Sequence, residues 1–157
     1  MITIDGPITL ATTAITITTA DDNINLQGTV DGGKALTLAS GSGAVTVDGA
    51  IGGSTALTSL TVNSSGAGTI EITNIGTSSA AGVTGATAIG NTNTGTLTLG
   101  GTVYTTNAAT YTAATGENID LTGAATTTFT SSNDDITFGT ATVEMANGSN
   151  LVIDTDT

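Results

Sequence analysis

TAITITTADDNINLQG, residues 13–28, contains the pattern that decides the fold of this chain. Its large aliphatic residues occupy alternate positions in two short runs, 15–17 and 24–26, and the acidic pair Asp21-Asp22 lies between them. Successive side chains of a β-strand point to opposite faces, so each run places two apolar residues on one face and one polar residue on the other. The stretch therefore predicts two very short, half-buried strands joined by a bend.

The same three-residue unit, apolar at its first and last positions, recurs along the whole sequence. Threonine, isoleucine and valine dominate it, and these residues fit a pleated surface well. No run of ten residues shows the apolar spacing of an amphipathic helix, so the sequence predicts an all-β protein. The units are residues 2–4, 8–10, 15–17, 24–26, 36–38, 45–47, 60–62, 70–72, 97–99, 119–121, 136–138, 143–145 and 151–153.

Short strands at close spacing fit two architectures. An antiparallel β-sandwich uses hairpins, strands of about five to six residues and a core rich in large side chains. A parallel β-solenoid stacks short strands from successive coils about 4.8 Å apart and turns at glycine-rich corners. Aromatic residues make up only 3% of the chain, which favours the solenoid, and the sandwich is the alternative. Units recur 21 to 25 residues apart at 15 and 36, 24 and 45, 36 and 60, and 45 and 70.

This spacing predicts coils of roughly 20 to 25 residues, hence about seven coils and a rod roughly 30 to 35 Å long. We expect residues 1–157 to form a single solenoid segment. The beginning, MITIDGPITL, lacks the basic segment and apolar run of a signal peptide, and we expect the segment to belong to a longer repeat array. Between residues 74 and 96 the large apolar residues are Ile75, Val83 and Ile89 alone, which indicates a loop or an irregular coil.

The charge balance excludes two classes of partner. Thirteen carboxylates accompany one cation, Lys34, and the formal net charge is −12. Nucleic-acid binding and docking to anionic lipid both depend on clustered basic residues. No stretch approaches the roughly 18 consecutive apolar residues of a membrane helix. We therefore expect no nucleic-acid partner and no membrane insertion.

The acidic turns are the candidate metal site. With no cysteine and no histidine, the chain offers neither a disulfide nor a typical zinc site. Asp21-Asp22 and Asp134-Asp135, together with carbonyl groups, could supply the oxygen ligands that calcium prefers. The alternative is that these side chains cap turns by accepting hydrogen bonds from nearby amides. We expect the capping role and no cofactor, with calcium as the alternative.

Three further carboxylates bear on catalysis. Glu71, Asp120 and Glu144 each occupy the middle of a unit and should face outward. Hydrolysis of a glycosidic bond needs two close carboxyl groups, one with a raised pKa, whereas solvated outward positions do not raise a pKa. The hydroxyl groups lack a histidine to activate them as nucleophiles. We expect no catalysis, and a role for these acids in solubility and strand-edge protection.

The threonine pairs and the two tyrosines suggest two other functions, ice binding and sugar binding. Threonines two apart are typical of the flat arrays on ice-binding solenoids, but such arrays need a constant coil length, and the spacing here varies. Tyr104 and Tyr111 could stack on sugars, although we expect partly buried corner positions for both. The threonine pairs are 16 and 18, 96 and 98, 126 and 128, and 140 and 142.

Residues 43–62, GAVTVDGAIGGSTALTSLTV, and residues 132–138, SNDDITF, resemble the β-strand repeats of large secreted bacterial proteins of the filamentous-haemagglutinin and autotransporter-adhesin type. The resemblance is one of style and extends over nearly the whole chain. It implies a right-handed parallel β-helix that is exported and displayed as a fibre with adhesive or matrix functions. It also implies an extracellular or bacterial cell-surface location.

These observations together predict a structural or adhesive segment of a surface fibre. The alternative is a filament subunit that polymerises end to end, because an open strand edge is a template for another copy. A carbohydrate-active β-helix enzyme and an ice-binding solenoid rank below both. The expected partners are other copies of the chain or neighbouring repeats, and host or matrix glycans or proteins.

Overall fold

A computed structural model describes residues 1–123, 125–132, 134–146 and 148–155. These residues contain no helix, and so none that is long and apolar enough to cross a membrane. They form short strands separated by corners. In chain order the strands are β1 (Ile2–Ile4), β2 (Ile8–Thr9), β3 (Ile15–Thr18), β4 (Ile24–Leu26), β5 (Val30–Asp31), β6 (Ala35–Ala39), β7 (Val45–Val47), β8 (Ser59–Asn63), β9 (Ile70–Ile72), β10 (Ala86–Ile89), β11 (Leu97–Leu99), β12 (Val103–Thr106), β13 (Ala108–Tyr111), β14 (Asn118–Leu121), β15 (Thr126–Ser131), β16 (Ile136–Phe138), β17 (Thr142–Met145) and β18 (Asn150–Asp154).

The strands build three parallel sheets. The first sheet has the order β1-β4-β7-β9-β11-β14-β17, and the third has the order β3-β6-β8-β10-β13-β16. The second sheet begins with β2-β5, continues through single bridges at Ile51 and Ile75, and ends with β12-β15-β18. The chain passes through the three sheets in turn, making six complete coils and a seventh, partial coil formed by β17 and β18 among the described residues. The predicted parallel β-helix is confirmed, and the antiparallel sandwich is wrong.

Strand register confirms the predicted spacing. All four pairs of units expected one coil apart are direct partners: Ile15 with Leu36, Ile24 with Val45, Leu36 with Leu60, and Val45 with Ile70. Equivalent positions in the first sheet recur at intervals of 21 to 27 residues. Seven strands about 4.8 Å apart give the first sheet a length of about 29 Å along the axis.

Inward-facing apolar residues stack directly on one another from coil to coil. Because each strand of the first sheet contributes two of them, two continuous columns fill this side of the core. Fully burying one such side chain contributes about 1.5 to 3 kcal/mol. The buried members are Ile24, Val45, Ile70, Leu97 and Ile119 in one column, and Leu26, Val47, Ile72, Leu99 and Leu121 in the other.

Differences in coil length are absorbed outside the strands. The longest interval in the first sheet, 27 residues from Ile70 to Leu97, contains the segment 74–96. Ile75 and Val83 are both completely buried, and the chain between them projects from the fourth coil. We call residues 77–81 the 77–81 loop. β10 then rejoins the third sheet beside β8, so the extra residues leave the strand register intact.

Glycines form a column where the first sheet turns into the second. Gly6, Gly28 and Gly49 occupy this corner in the first three coils, and their backbones are in close contact. A Cβ atom added to Gly28 would lie 2.4 Å from the carbonyl carbon of Gly6, and one added to Gly49 would lie 2.3 Å from the carbonyl oxygen of Gly28. No Cβ fits at such a distance, so stacking at this corner requires glycine at positions 28 and 49.

The outermost described coils bury their apolar residues less completely. In the first coil Ile2, Ile4 and Ile15 are half-buried, although their positions are equivalent to fully buried ones in the next coil. At the other end Met145 is 41% exposed and Ile153 is 49% exposed. Each end of the described stack therefore has partly exposed apolar residues beside strand edges that no described residue pairs.

Candidate functional site

The acidic pair Asp21-Asp22 lies at the corner between β3 and β4, and both residues are exposed. One carboxylate oxygen of Asp21 accepts a hydrogen bond from the Ser42 hydroxyl in the next coil at 2.8 Å. The carboxylate of Asp22 lies 3.2 Å from the Met1 amino group. The pair is thus a bend between two strands whose side chains contact neighbouring coils.

The second acidic pair, Asp134-Asp135, lies at a different corner, between β15 and β16. The Asp134 carboxylate accepts a hydrogen bond from the side-chain amide of Asn107, with 2.8 Å between Oδ2 and Nδ2. Asn133, in the stretch quoted for the resemblance, lies outside the described residues. The two acidic pairs are on different coils and different corners, and the described residues contain no group of three or more potential metal-ligating side chains close together.

Asparagine and aspartate side chains at the corners bind amides of the next coil. Asn23 accepts a hydrogen bond from the Ala44 amide at 3.0 Å, and Asn74 accepts from the amides of Thr102 and Val103, both at 3.0 Å. Polar side chains at turns more often bond within their own turn. Here they join successive coils, so they cap corners and also stabilise the stack.

Asp31 provides a test of this capping role. One of its carboxylate oxygens accepts hydrogen bonds from the amides of Ser54 at 2.8 Å and Thr55 at 3.0 Å, both in the next coil. We expect Asp31→Ala to lower the free energy of unfolding by about 1 to 2 kcal/mol, because two amides lose a charged acceptor. Urea unfolding measures this difference.

Asp48→Ala is the matched control. Asp48 is exposed, and its carboxylate makes no hydrogen bond to the described residues, so the variant loses the same charge without losing a cap. The Asp48 backbone amide donates to the Leu26 carbonyl at 2.9 Å, and alanine retains this bond. We expect its stability to stay within about 0.5 kcal/mol of the parent protein. Equal stability of the two variants would contradict the capping role of Asp31.

The mid-strand carboxylates form part of a row on the outer face of the first sheet. Strand register aligns Glu71 with Thr98, Thr98 with Asp120, and Asp120 with Glu144. Glu71 and Glu144 are exposed, and Asp120 is half-buried, so the predicted outward orientation is confirmed. Asp120 and Glu144, on adjacent strands, line a depression of about 220 Å³. Glu71 lies two coils from Asp120 and does not join them.

Tyr104 and Tyr111 lie in the core. The prediction of partly buried corner positions is wrong, because both side chains are completely buried, in β12 and β13 respectively. Tyr104 stacks on Phe129 with ring centroids 4.8 Å apart, and Tyr111 stacks on Phe138 at 5.5 Å. Their rings are therefore not available to stack on a sugar.

The two tyrosines should make the protein sensitive to alkali. Burial raises the pKa of both hydroxyls above the ordinary value of 10.0, so they remain neutral in the folded protein when an unfolded chain would ionise. The contribution of these neutral hydroxyls to the free energy of unfolding is therefore fully present below pH 10. Above pH 10 the free energy of unfolding falls by about 1.4 kcal/mol per pH unit for each tyrosine. Urea unfolding between about pH 8 and pH 11.5 measures this slope.

Tyr111→Phe isolates the contribution of Tyr104 to this pH dependence. The Tyr111 hydroxyl is buried and has no hydrogen-bond partner among the described residues, so phenylalanine retains the packing. We expect this variant to show about half the slope of the parent protein above pH 10. An unchanged slope would show that Tyr111 ionises as readily in the folded state as in the unfolded chain.

The threonine pairs two residues apart do not form one array. Thr16 and Thr18 lie on β3 of the third sheet, Thr98 lies on β11 of the first sheet, and Thr126 and Thr128 lie on β15 of the second. The third sheet nevertheless aligns one row of outward positions, despite the unequal coil lengths that were expected to prevent alignment. This row is Thr16, Thr37, Thr61, Ala88, Thr110 and Thr137.

A groove of about 530 Å³ lies over the outer face of the second sheet. Its floor consists of Val103 and Thr105 from β12 and their register partners Thr128 and Thr130 from β15. The 77–81 loop forms its wall, and Ser132 completes the lining. Seven of the ten lining residues carry hydroxyl groups and none is charged, which suits a neutral ligand with several hydrogen-bonding groups.

Backbone contacts hold the base of the 77–81 loop. The Thr77 amide donates a hydrogen bond to the Ala80 carbonyl at 2.9 Å, and the Gly82 amide donates to the Thr105 carbonyl at 2.9 Å. Gly76 has a φ of +78°, and a Cβ on Gly82 would lie 2.2 Å from the Gly76 nitrogen. The loop therefore leaves and rejoins the coil through a narrow neck that requires both glycines.

Sequence reasoning did not predict the groove. The available signal was the shortage of large apolar residues in 74–96, which indicates extra chain but not the direction in which that chain folds. Comparisons of the chain with protein-family models, with curated proteins and with solved structures find no match.

Proposed function

We propose that this chain is a non-catalytic structural and adhesive segment of a bacterial extracellular or cell-surface fibre. The main support is the unbroken parallel stack, in which paired backbones and two continuous apolar columns form a rod. A rod of this kind presents the outward residues of successive coils at fixed intervals along its axis. The resemblance of residues 43–62 to secreted adhesin repeats supports the location and the adhesive role.

The placement of the polar residues is consistent with this role. The carboxylates considered for catalysis lie on the outer face of the first sheet, and the acidic pairs lie at corners. Serine and threonine cover much of the remaining outer surface and line the groove over the second sheet. Serine and threonine hydroxyls both donate and accept hydrogen bonds, which suits them to many weak contacts with glycans and matrix proteins along a fibre.

Adhesion under flow tests the proposal. Beads coated with the folded protein should be retained on surfaces carrying matrix proteins or glycans, and beads coated with the heat-unfolded protein should not. Equal retention of both bead types would contradict an adhesive role for the folded solenoid. Release of soluble sugar from the glycan surface would contradict the non-catalytic part of the proposal.

The terminal coils favour a second candidate function, end-to-end assembly into a filament. The last described coil offers the open edges of β17 in the first sheet and β18 in the second, so it could pair with β1 and β2 of another copy in the same parallel register. The half-buried Ile2 and Ile4 at one end, and the exposed Met145 and Ile153 at the other, would then be covered. Repeated contacts between unlike ends produce an open filament.

Sedimentation velocity over a range of concentrations tests assembly. We expect the sedimentation coefficient to rise with concentration, and Ile153→Lys to abolish the rise because a charge would be buried between coils. Thr61→Lys, on the outer face of the third sheet, should assemble like the parent protein. A monomer at all concentrations would contradict the filament function and leave the adhesive rod unaffected.

A further inference from the structure

We infer that the groove between the 77–81 loop and the outer face of β12 and β15 binds a short neutral oligosaccharide. This inference rests on the proposed adhesive function and names the ligand class and the place where it binds.

The absence of charge in the lining indicates a neutral ligand. The chain as a whole carries a net charge of −12, yet none of the ten lining residues is ionisable. An anionic ligand would find no cation to pair with and would be repelled by the field of the protein. A cationic ligand would be drawn to the carboxylates elsewhere on the surface rather than to this groove.

The lining chemistry matches a sugar. Thr105, Thr128 and Thr130 each present a hydroxyl and a methyl group on the floor, and Thr77 and Ser79 add hydroxyls on the wall. A pyranose likewise presents hydroxyl groups around its ring and C–H groups on its faces. The volume of about 530 Å³ lies within the range of small-molecule sites and fits a few sugar units better than a single one.

The neighbouring backbone argues against a peptide strand. A peptide that extends a sheet needs free amide and carbonyl groups at a strand edge. The Thr105 amide donates a hydrogen bond to the Ile75 carbonyl at 2.8 Å, and the Thr105 carbonyl accepts from Gly82 at 2.9 Å. The other edge of β12 is paired with β15. The groove therefore offers side chains to a ligand, and its strand edges are already occupied.

Contacts within the protein fix the shape of the groove. The floor consists of paired strands, and the wall is fixed at its base by the completely buried Ile75 and Val83. Little conformational entropy is lost when a ligand enters a formed site, which helps a small neutral ligand to bind.

Amide chemical-shift titration of the whole protein tests the inference. The probes are neutral trisaccharides of glucose, galactose and N-acetylglucosamine, with trigalacturonate as a charged probe of similar size. We expect saturable shifts for at least one neutral trisaccharide with a dissociation constant of about 1 mM or lower. These shifts should map to residues 77–81, 103–105 and 128–132.

Two variants locate the binding site. Thr105→Phe fills the groove from its floor and should weaken binding by about tenfold or more. Thr46→Phe places the same ring on the outer face of the first sheet, where Thr46 is half-buried as Thr105 is, and should bind the trisaccharide as the parent protein does.

Three results would overturn the inference: no saturable shift with any of the neutral trisaccharides, equal or tighter binding of trigalacturonate, or binding that Thr105→Phe leaves unchanged. Retention under flow of beads coated with Thr105→Phe distinguishes a failure of this inference from a failure of the proposed adhesive function. If the beads adhere although no trisaccharide binds, the groove is not an oligosaccharide site, and the adhesive function of the rod still stands. If a trisaccharide binds but the beads are not retained, the groove is an oligosaccharide site and the proposed adhesive function is contradicted.

Discussion

Replacing Gly28 by alanine should lower the free energy of unfolding by about 3 kcal/mol or more. The new methyl group would lie 2.4 Å from both the carbonyl carbon and the carbonyl oxygen of Gly6, and 2.6 Å from the nitrogen of Pro7. All three are backbone atoms, so no side chain can rotate away to make room. The first two coils would have to separate at this corner, which would disturb the strand pairs on both sides. Urea unfolding measures the loss.

Gly6→Ala is the matched control, because Gly6 occupies the same corner one coil earlier. Apart from its two neighbours in the chain, no described residue has a heavy atom within 4 Å of a Cβ added there. We therefore expect this variant to unfold within about 0.5 kcal/mol of the parent protein. Similar stability of the Gly28 and Gly6 variants would contradict the close contact between the first two coils.

Phe129→Ala should lower the free energy of unfolding by about 4 kcal/mol. Phe129 is completely buried in β15, and its ring centroid lies 4.8 Å from that of Tyr104 and 5.3 Å from that of Tyr111. Removing the ring leaves a cavity and also abolishes the aromatic contacts, which contribute beyond the buried area. Thermal or urea unfolding, followed by tyrosine fluorescence, measures the change.

Ile153→Ala serves as the control for this substitution. Ile153 is the register partner of Phe129 in the next coil, but it is 49% exposed. Its truncation should cost less than about 1 kcal/mol because little apolar surface leaves a packed environment. A larger loss at Ile153 than at Phe129 would show that the core does not lie where the stacked coils place it.

Alternation of apolar residues was sufficient to predict the strands and their stacking. The units at 15–17, 24–26, 36–38 and 45–47 are all strands, and their spacing gave the correct partners in the next coil. Such a prediction is possible because a period of two residues fixes which face is buried, and coils of similar length bring like units together.

Features that depend on the corners could not be predicted in the same way. Corners absorb unequal chain lengths, so the outward threonines of the third sheet align although their sequence spacing varies. The direction of the 77–81 loop depends on the neck formed by Gly76 and Gly82, which no apolar pattern records. The burial of Tyr104 and Tyr111 was not predicted, because neither residue belongs to one of the alternating aliphatic units. In the structure their rings pack with Phe129 as one cluster.

The chain advances along one axis by one strand spacing per coil. Pulsed electron–electron resonance between nitroxide labels tests it directly, because the chain has no native cysteine to compete for the label. Thr3, Thr98, Asp120 and Glu144 share one outward row of the first sheet, in coils one, five, six and seven. Labels on Thr3 and each of the other three should give mean distances near 19, 24 and 29 Å, about 4.8 Å more for each further coil. Distances that do not increase in this order, such as a shorter one to Glu144 than to Thr98, would show that the coils are not stacked in sequence.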